Sequence, residues 1–326
     1  MASFIHSILR SNQLITADGD TVYDLPVNPL SVILLHVSPL NETGTVTTYG
    51  MLQALLSAVD NVRVTHKGAA IVDLSGVDLA ALVLMWHRQF IWQSNVVETN
   101  DDRRSLVLPI NFGRRPYIAS ECFPETKKGE LQLTVTWDIA DTGFDGLRIS
   151  IETIELPDAA PEFVQKATTL AATLAATGQN EIDLPIGNIL RGVLAFGTTG
   201  FAGAVPAPSL GEIQVLVDNR QVGYSATDFE VSRALRGLVG IPYPPCGRHI
   251  HSVNAAGAGR EDTVEPEIGA SLDDNYTFLD FDPTWDDEYS IDTQGAGRVH
   301  VRMDAETADA IRLIPVERIV ATQFTG

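Results

Sequence analysis

Two histidines one residue apart, His249 and His251, carry the most conspicuous chemistry in the chain. Alternate residues of a strand share a face, so two imidazoles at this spacing could hold one transition metal. Such a site needs a carboxylate four or five residues further on, where Ala255 and Ala256 stand; Glu261 comes only after ten. The pair lies in a Gly- and Pro-rich stretch, which favours solvated loop histidines. Asp141-Thr-Gly143 spells the triplet in which two carboxylates share a proton across duplicated lobes. The corresponding later stretch, Met303-Asp-Ala-Glu-Thr-Ala308, offers no second copy, and Asp and Gly are turn residues. The acidic run Asp280 to Glu288, with Asp282, Asp286 and Asp287, could gather oxygens for calcium. It lacks the spaced ligands and glycine of a calcium loop, so a solvated face is expected. Cys122 has no histidine near it in sequence, Cys246 sits among prolines, and both are expected to be inert thiols. Phosphate-cradling, dinucleotide and nucleophile-elbow patterns are missing. No residue is therefore assigned as catalytic, cofactor-binding or metal-ligating, and neither enzyme activity nor a cofactor is expected.

The chain has 326 residues, 22 of them basic and 42 acidic, for a formal charge of −20. Direct nucleic-acid binding needs clustered cations that this balance does not favour. Hydrophobic residues at 44% against 20% charged supply material for cores and argue against disorder. No apolar run approaches the roughly 18–20 residues that a membrane-crossing helix needs. Residues 1–13 lack the apolar block and cleavage site of a signal peptide.

Candidate chemistry must be positioned by elements, and the elements repeat. Gly19-Asp-Thr-Val-Tyr-Asp24-Leu-Pro26 is echoed by Gly178-Gln-Asn-Glu-Ile-Asp183-Leu-Pro185. Val62 to Gly68 is echoed by Val215 to Gln221, Ser75 to Leu79 by Thr227 to Val231, and Leu131 to Val135 by Val299 to Met303. Glu152-Thr-Ile154 is matched to Glu317-Arg-Ile319. Five echoes in one order define two copies of a unit, 1–157 and 158–326, joined at Pro157–Pro161.

Short apolar runs bounded by Gly, Pro, Asn and Asp predict eight strands per copy. They fall near 7–16, 20–25, 30–37, 60–66, 69–73, 105–109, 131–138 and 147–155. In the second copy they fall near 166–177, 181–185, 190–197, 213–218, 221–225, 276–281, 297–304 and 311–318. Alanines in 162–177 leave helix open there as well. Pro315 predicts an edge or a bulge. One helix follows the fifth strand in each copy, capped by Ser75 with Asp78 and by Thr227 with Glu230. Its apolar stripes, Leu79, Leu82, Val83 and Trp86, then Val231, Leu235 and Leu238, are expected to pack on a sheet. Long connections follow the third strand (38–59, 198–212) and the fifth (74–104, 226–275). All-β tandem eight-stranded jelly rolls, each with one flanking helix, suit this layout.

These motifs, with Leu106-Val-Leu-Pro-Ile110 and the alternating strand Leu131 to Trp137, resemble the double jelly-roll major capsid proteins of tailless icosahedral viruses and bacteriophages. The resemblance implies a structural tile: two rolls side by side, three chains in a ring, and a pseudo-hexameric homotrimeric capsomer within a virion shell. Its implied partners are itself, neighbouring capsomers, minor capsid and penton proteins, and in many members an internal membrane, with no direct nucleic-acid contact. Synthesis in the host cytoplasm is implied too. The alternative is a bicupin-like metal-dependent enzyme using His249 and His251. A glycan-binding tandem jelly roll would require exposed aromatics, which are only 7% of the chain.

Overall fold

The computed structural model describes residues 3–41, 52–89, 91–93, 103, 105–139, 144–175, 177–198, 210–227, 231–232, 235, 249–253, 260–264 and 275–325. The chain divides into two compact units, the first comprising Met1–Gln165, Pro244–Ile268 and Val320–Gly326, the second Lys166–Tyr243 and Gly269–Ile319.

Strands of the first unit are β1 (Ile5–Ile15), β2 (Gly19–Asp24), β3 (Leu30–Asn41), β4 (Val59–His66), β5 (Ala69–Leu74), β6 (Trp92–Gln93), β7 (Leu106–Asn111), β8 (Leu131–Trp137) and β9 (Phe144–Glu155). Its helices are α1 (Leu52–Ser57) and α2 (Gly76–Met85). One sheet runs β1-β9-β3-β7-β6, and the other strands neighbour one another as β5-β4-β8-β2. Period-2 alternation makes β8 a strand with one core face: Leu131, Leu133, Val135 and Trp137 are buried, the residues between them half-buried. The β4–β5 hairpin turns on Lys67 and Gly68, with φ of 49° and 84°. Both positive values match the right-handed twist of the flanking strands.

Helix α2 starts where the sequence places it. Ser75 is its cap, and its hydroxyl accepts a hydrogen bond from the Asp78 N–H at 3.1 Å. Leu79, Leu82, Val83 and Trp86 are all buried, as the stripe requires. Trp86 ends the helix, donating from Nε1 to Gln165 Oε1 at 2.7 Å. The Gln165 amide lies 3.2 Å from His87 Nε2, and His87 Nδ1 lies 3.1 Å from the Arg114 carbonyl. Amide donation to Nε2 leaves the proton on Nδ1, so α2 is tied to the 113–122 loop through one neutral imidazole. The last residues also belong to this unit. Ala321 N–H donates to the Glu162 carbonyl at 2.8 Å, and the Phe324 ring stands 5.1 Å from that of Phe123.

The second unit contains β10 (Phe163–Thr168, which begins in the first unit), β11 (Leu170–Leu174), β12 (Gly178–Leu184), β13 (Ile189–Gly197), β14 (Leu210–Val217) and β15 (Gln221–Ala226). A separate hairpin, β16 (His249–Val253) with β17 (Arg260–Val264), falls in the first unit. Then come β18 (Tyr276–Asp280), β19 (Ile291–Asp292), β20 (Val299–Ala305) and β21 (Asp309–Val320). Within the ambiguous stretch 162–177, Phe163–Thr168 and Leu170–Leu174 are strands, the second paired with β21.

With β10 and β11, which both pair with β21, taken as one strand, and with β6, β19 and the β16–β17 hairpin left aside, the eight strands of each unit in chain order give one sheet order twice among the described residues. Strand one neighbours eight, eight neighbours three and three neighbours six: β1-β9-β3-β7, then β11-β21-β13-β18. Two, seven, four and five make the other sheet: β2-β8-β4-β5, then β12-β20-β14-β15. That is jelly-roll order, two Greek keys folded into a sandwich. In the second unit, Val193, Ala195, Leu279, Ile311 and Leu313 from the first sheet meet Ile213, Val215, Val299 and Val301 from the other in one core. No helix among the described residues is long and apolar enough to cross a membrane.

Two local expectations fail. Pro315 sits inside β21 opposite Val193, and the register shift of that pair falls between Leu190 and Gly192 instead. An antiparallel strand sends alternate N–H groups to opposite neighbours, so an interior proline forfeits a bond on one side only. Val231 and Leu235 are 39% and 40% exposed, whereas Ser232 is fully buried. Its hydroxyl, 2.7 Å from that of Thr277, turns that side of the segment inward. Leu238, Glu230 and most of the connections 198–212 and 226–275 lie outside the described residues.

Candidate functional site

The residues with chemical potential do not converge. His249 and His251 lie in β16, opposite Val264 and Asp262 of β17. Asp141-Thr-Gly143 and Cys246 lie outside the described residues. Cys122 is buried, and burial pushes its thiol up to about 12, away from the reactive thiolate. Among the described residues no group of three or more His, Cys, Asp or Glu side chains could hold a metal ion.

The acidic run is not a plain solvated face, because Asp287 is turned onto two arginines. Arg191, fully buried in β13, grips Asp287 in a two-point pair, Nε to Oδ1 at 2.7 Å and an Nη to Oδ2 at 3.1 Å. Arg318 donates to the same carboxylate at 2.6 Å, and the Asp287 N–H donates to Asp282 at 2.7 Å. Asp287 adopts φ of 65°, an uncommon backbone state for a residue with a side chain. A bulge supplies the arginine: Leu190 faces Glu317 and Gly192 faces Val316, so Arg191 is the extra residue in the ladder.

The first unit repeats this device with different chemistry. Leu30 faces Glu155 and Val32 faces Ile154, so Ser31 is the extra residue. Its hydroxyl accepts from the N–H of Tyr117 at 2.8 Å, and Tyr117 has φ of 67°. The carbonyls of Ser31 and Arg191 accept from the N–H groups of Phe112 and Phe281. Buried Glu155 accepts from the side-chain amide of Asn28, and buried Glu317 from that of Asn188, both at 2.7 Å. Each carboxylate then reaches the first strands of its unit, Ser7 for Glu155 and Lys166 for Glu317. Hairpins β4–β5 and β14–β15 share a bulge as well, between Val64 and Thr65 and between Val215 and Leu216. Each unit therefore has a bulge latch: one extra residue on the third strand holds the loop after the sixth. The sequence could have signalled it through Asn28 and Asn188, both just after the Leu-Pro motif.

Two buried histidines add a pH response. Neither ring nitrogen of His300, on β20, has a hydrogen-bond partner among the described residues, and Glu181 lies 3.7 Å away. Burial, then neighbouring Arg298, holds its pKa below the ordinary histidine value. His66, between the rings of Phe123 and Phe324, is lowered by burial and Lys67. A lowered histidine keeps its full stabilising effect above the unfolded value of 6.5 and loses it as acid charges the unfolded chain first. Unfolding midpoints are therefore expected to fall between pH 7 and 5. The slope should flatten in His300→Gln, measured by thermal denaturation across that range. An equal slope in the variant would exclude His300 as a source.

With strand order and latches repeated, the chain has the double jelly-roll fold. Solved structures share this fold: the chain superimposes on the major capsid protein P2 of bacteriophage PM2 with a TM-score of 0.63, covering 98% of each chain at 15% identity. The major capsid protein of Sulfolobus Turreted Icosahedral Virus gives 0.64 at 12% identity, over 98% of this chain and 97% of that one. The PBCV-1 virus capsid gives 0.60 at 9%, over 98% and 94%. No protein-family model matches the chain, and no curated protein matches it by sequence.

Proposed function

We propose that this chain is a major capsid protein, a structural tile of an icosahedral virion that carries no catalytic site. The repeated latch carries this reading. A protein whose two halves keep one topology, and the same loop-holding device, while gathering no chemical site among the described residues, is built to present equivalent surfaces. Tandem rolls spanning 1–157 and 158–326 give two similar lobes per chain. Three chains closing into a ring give six lobes, the pseudo-hexameric capsomer, and closed rings are the common form of homo-oligomer. Its neighbours are then other capsomers, minor capsid and penton proteins, and lipid where the shell encloses a membrane. The formal charge of −20 gives no basis for direct genome contact. Synthesis in the host cytoplasm precedes assembly into the virion. Size-exclusion chromatography with light scattering tests the reading: three chains of 35.3 kDa give 3 × 35.3 ≈ 106 kDa. A monomer at every concentration and ionic strength would overturn it.

A further inference from the structure

The two units treat one face differently. Bulge-anchored register matches Leu34 with Leu194, each opposite the position held by Glu152 in the first unit and Ile314 in the second. By the same pairing His36 corresponds to Phe196, and Val107 to Tyr276. All these side chains point away from the cores described above, on the outer face of the β1-β9-β3-β7 sheet or its twin. In the second unit the face is covered within the chain: Leu194, Tyr276 and Ile314 are fully buried. In the first unit Leu34, His36, Val107 and Glu152 are all partly exposed, and on β1 Ile8 is 66% and Leu14 48% exposed.

Charge distinguishes the open face further. Residues 1–17 contain no Asp or Glu in a chain that has 42. Near Ile8 stands His6, whose Nε2 is 2.7 Å from Glu152, and Arg148 lies opposite Leu14. Two copies at −20 each repel over most of their surface, and approach is least opposed along β1, which carries no carboxylate and sets His6 against Glu152 of β9. The face is also more polar than its buried twin, as expected of a surface that meets water before it meets a partner.

We propose that this face, centred on Ile8, Leu14, Leu34 and Glu152, is the surface by which one copy docks on the acidic surface of the next. The proposal rests on the capsid reading and names the contact that closes its ring. The double variant Ile8→Asp/Leu14→Asp places two carboxylates on exposed positions of the face. Its light-scattering mass is expected to drop to that of one chain where the parent protein stays associated, a weakening of at least about tenfold, or roughly 1.4 kcal/mol. Val22→Asp, at a 55% exposed position on β2, is expected to leave the mass unchanged. Circular dichroism and the unfolding midpoint confirm that each variant is folded.

An Ile8→Cys thiol in a Cys246→Ser background gives a second readout. Maleimide is expected to label it about tenfold more slowly in the assembled protein than in diluted chains, by burial of the contact. Undiminished assembly of the double variant, or rapid labelling in the oligomer, would overturn the docking surface and leave the capsid reading standing. A monomeric parent protein would overturn both. Binding of the parent to phosphatidylglycerol vesicles that is lost in the double variant, with its oligomer intact, would overturn this proposal in favour of lipid as the occupant.

Discussion

Asparagine in place of Asp287 is expected to lower the unfolding free energy by about 3–5 kcal/mol, the usual cost of breaking a buried ion pair from one side. The size follows from position. Arg191 is fully buried, and Asp287 offers one carboxylate to it and to Arg318. An amide keeps the shape but removes the charge that both guanidinium groups face. Asparagine adopts φ of 65° as readily as aspartate, so the loss is one of charge and not of backbone strain. Chemical denaturation of the full chain measures the loss. Arg191→Met added to Asp287→Asn is expected to recover part of it, with a coupling of about 0.5–3 kcal/mol, because the two residues act as a unit. The first unit supplies the contrast. Ser31→Ala removes a neutral acceptor from Tyr117 N–H at the equivalent bulge and is expected to cost only about 1–3 kcal/mol. Equal losses at the two latches would mean that the arginine pair adds nothing beyond the shared geometry.

Much of this architecture is legible in the sequence. Strand positions, the Ser75 cap, the stripe ending at Trp86 and the tandem repeat all follow from local spacing, because each depends on neighbours close in sequence. Register did not. Sequence likeness aligns Glu152-Thr-Ile154 with Glu317-Arg-Ile319, but the bulges pair Glu155 with Leu30 and Glu317 with Leu190, so Glu155 is the structural counterpart of Glu317. A bulge adds one residue to one strand only, and no period-2 pattern records it. The fate of the acidic run was hidden for a related reason. Its decisive partner, Arg191, is 96 residues away, and only the fold brings them together. Val231 and Leu235 read as a packed stripe because apolar spacing cannot say whether an opposite polar residue, here Ser232, has a buried partner waiting.

Alanine in place of Trp86 is the other change expected to be severe, at about 3–5 kcal/mol for emptying a fully packed indole. The side chain is 1% exposed and closes α2, all of whose residues from Asp78 to Met85 are buried. Losing the ring also removes the donor to Gln165, and with it the first link of the path through His87 to Arg114. Two lesser variants separate these effects. Trp86→Phe keeps most of the volume but strips the Nε1–H, and is expected to cost about 1–3 kcal/mol for the acceptor left on Gln165. Gln165→Leu keeps Trp86 in place while breaking both amide contacts, leaving the indole N–H and the His87 ring to be satisfied elsewhere. If packing dominates, Trp86→Ala will exceed both by a wide margin in denaturation midpoint. If the hydrogen-bonded path dominates, all three will fall together. The first outcome is expected, since a buried aromatic ring offers many contacts and the relay only one bond at each step.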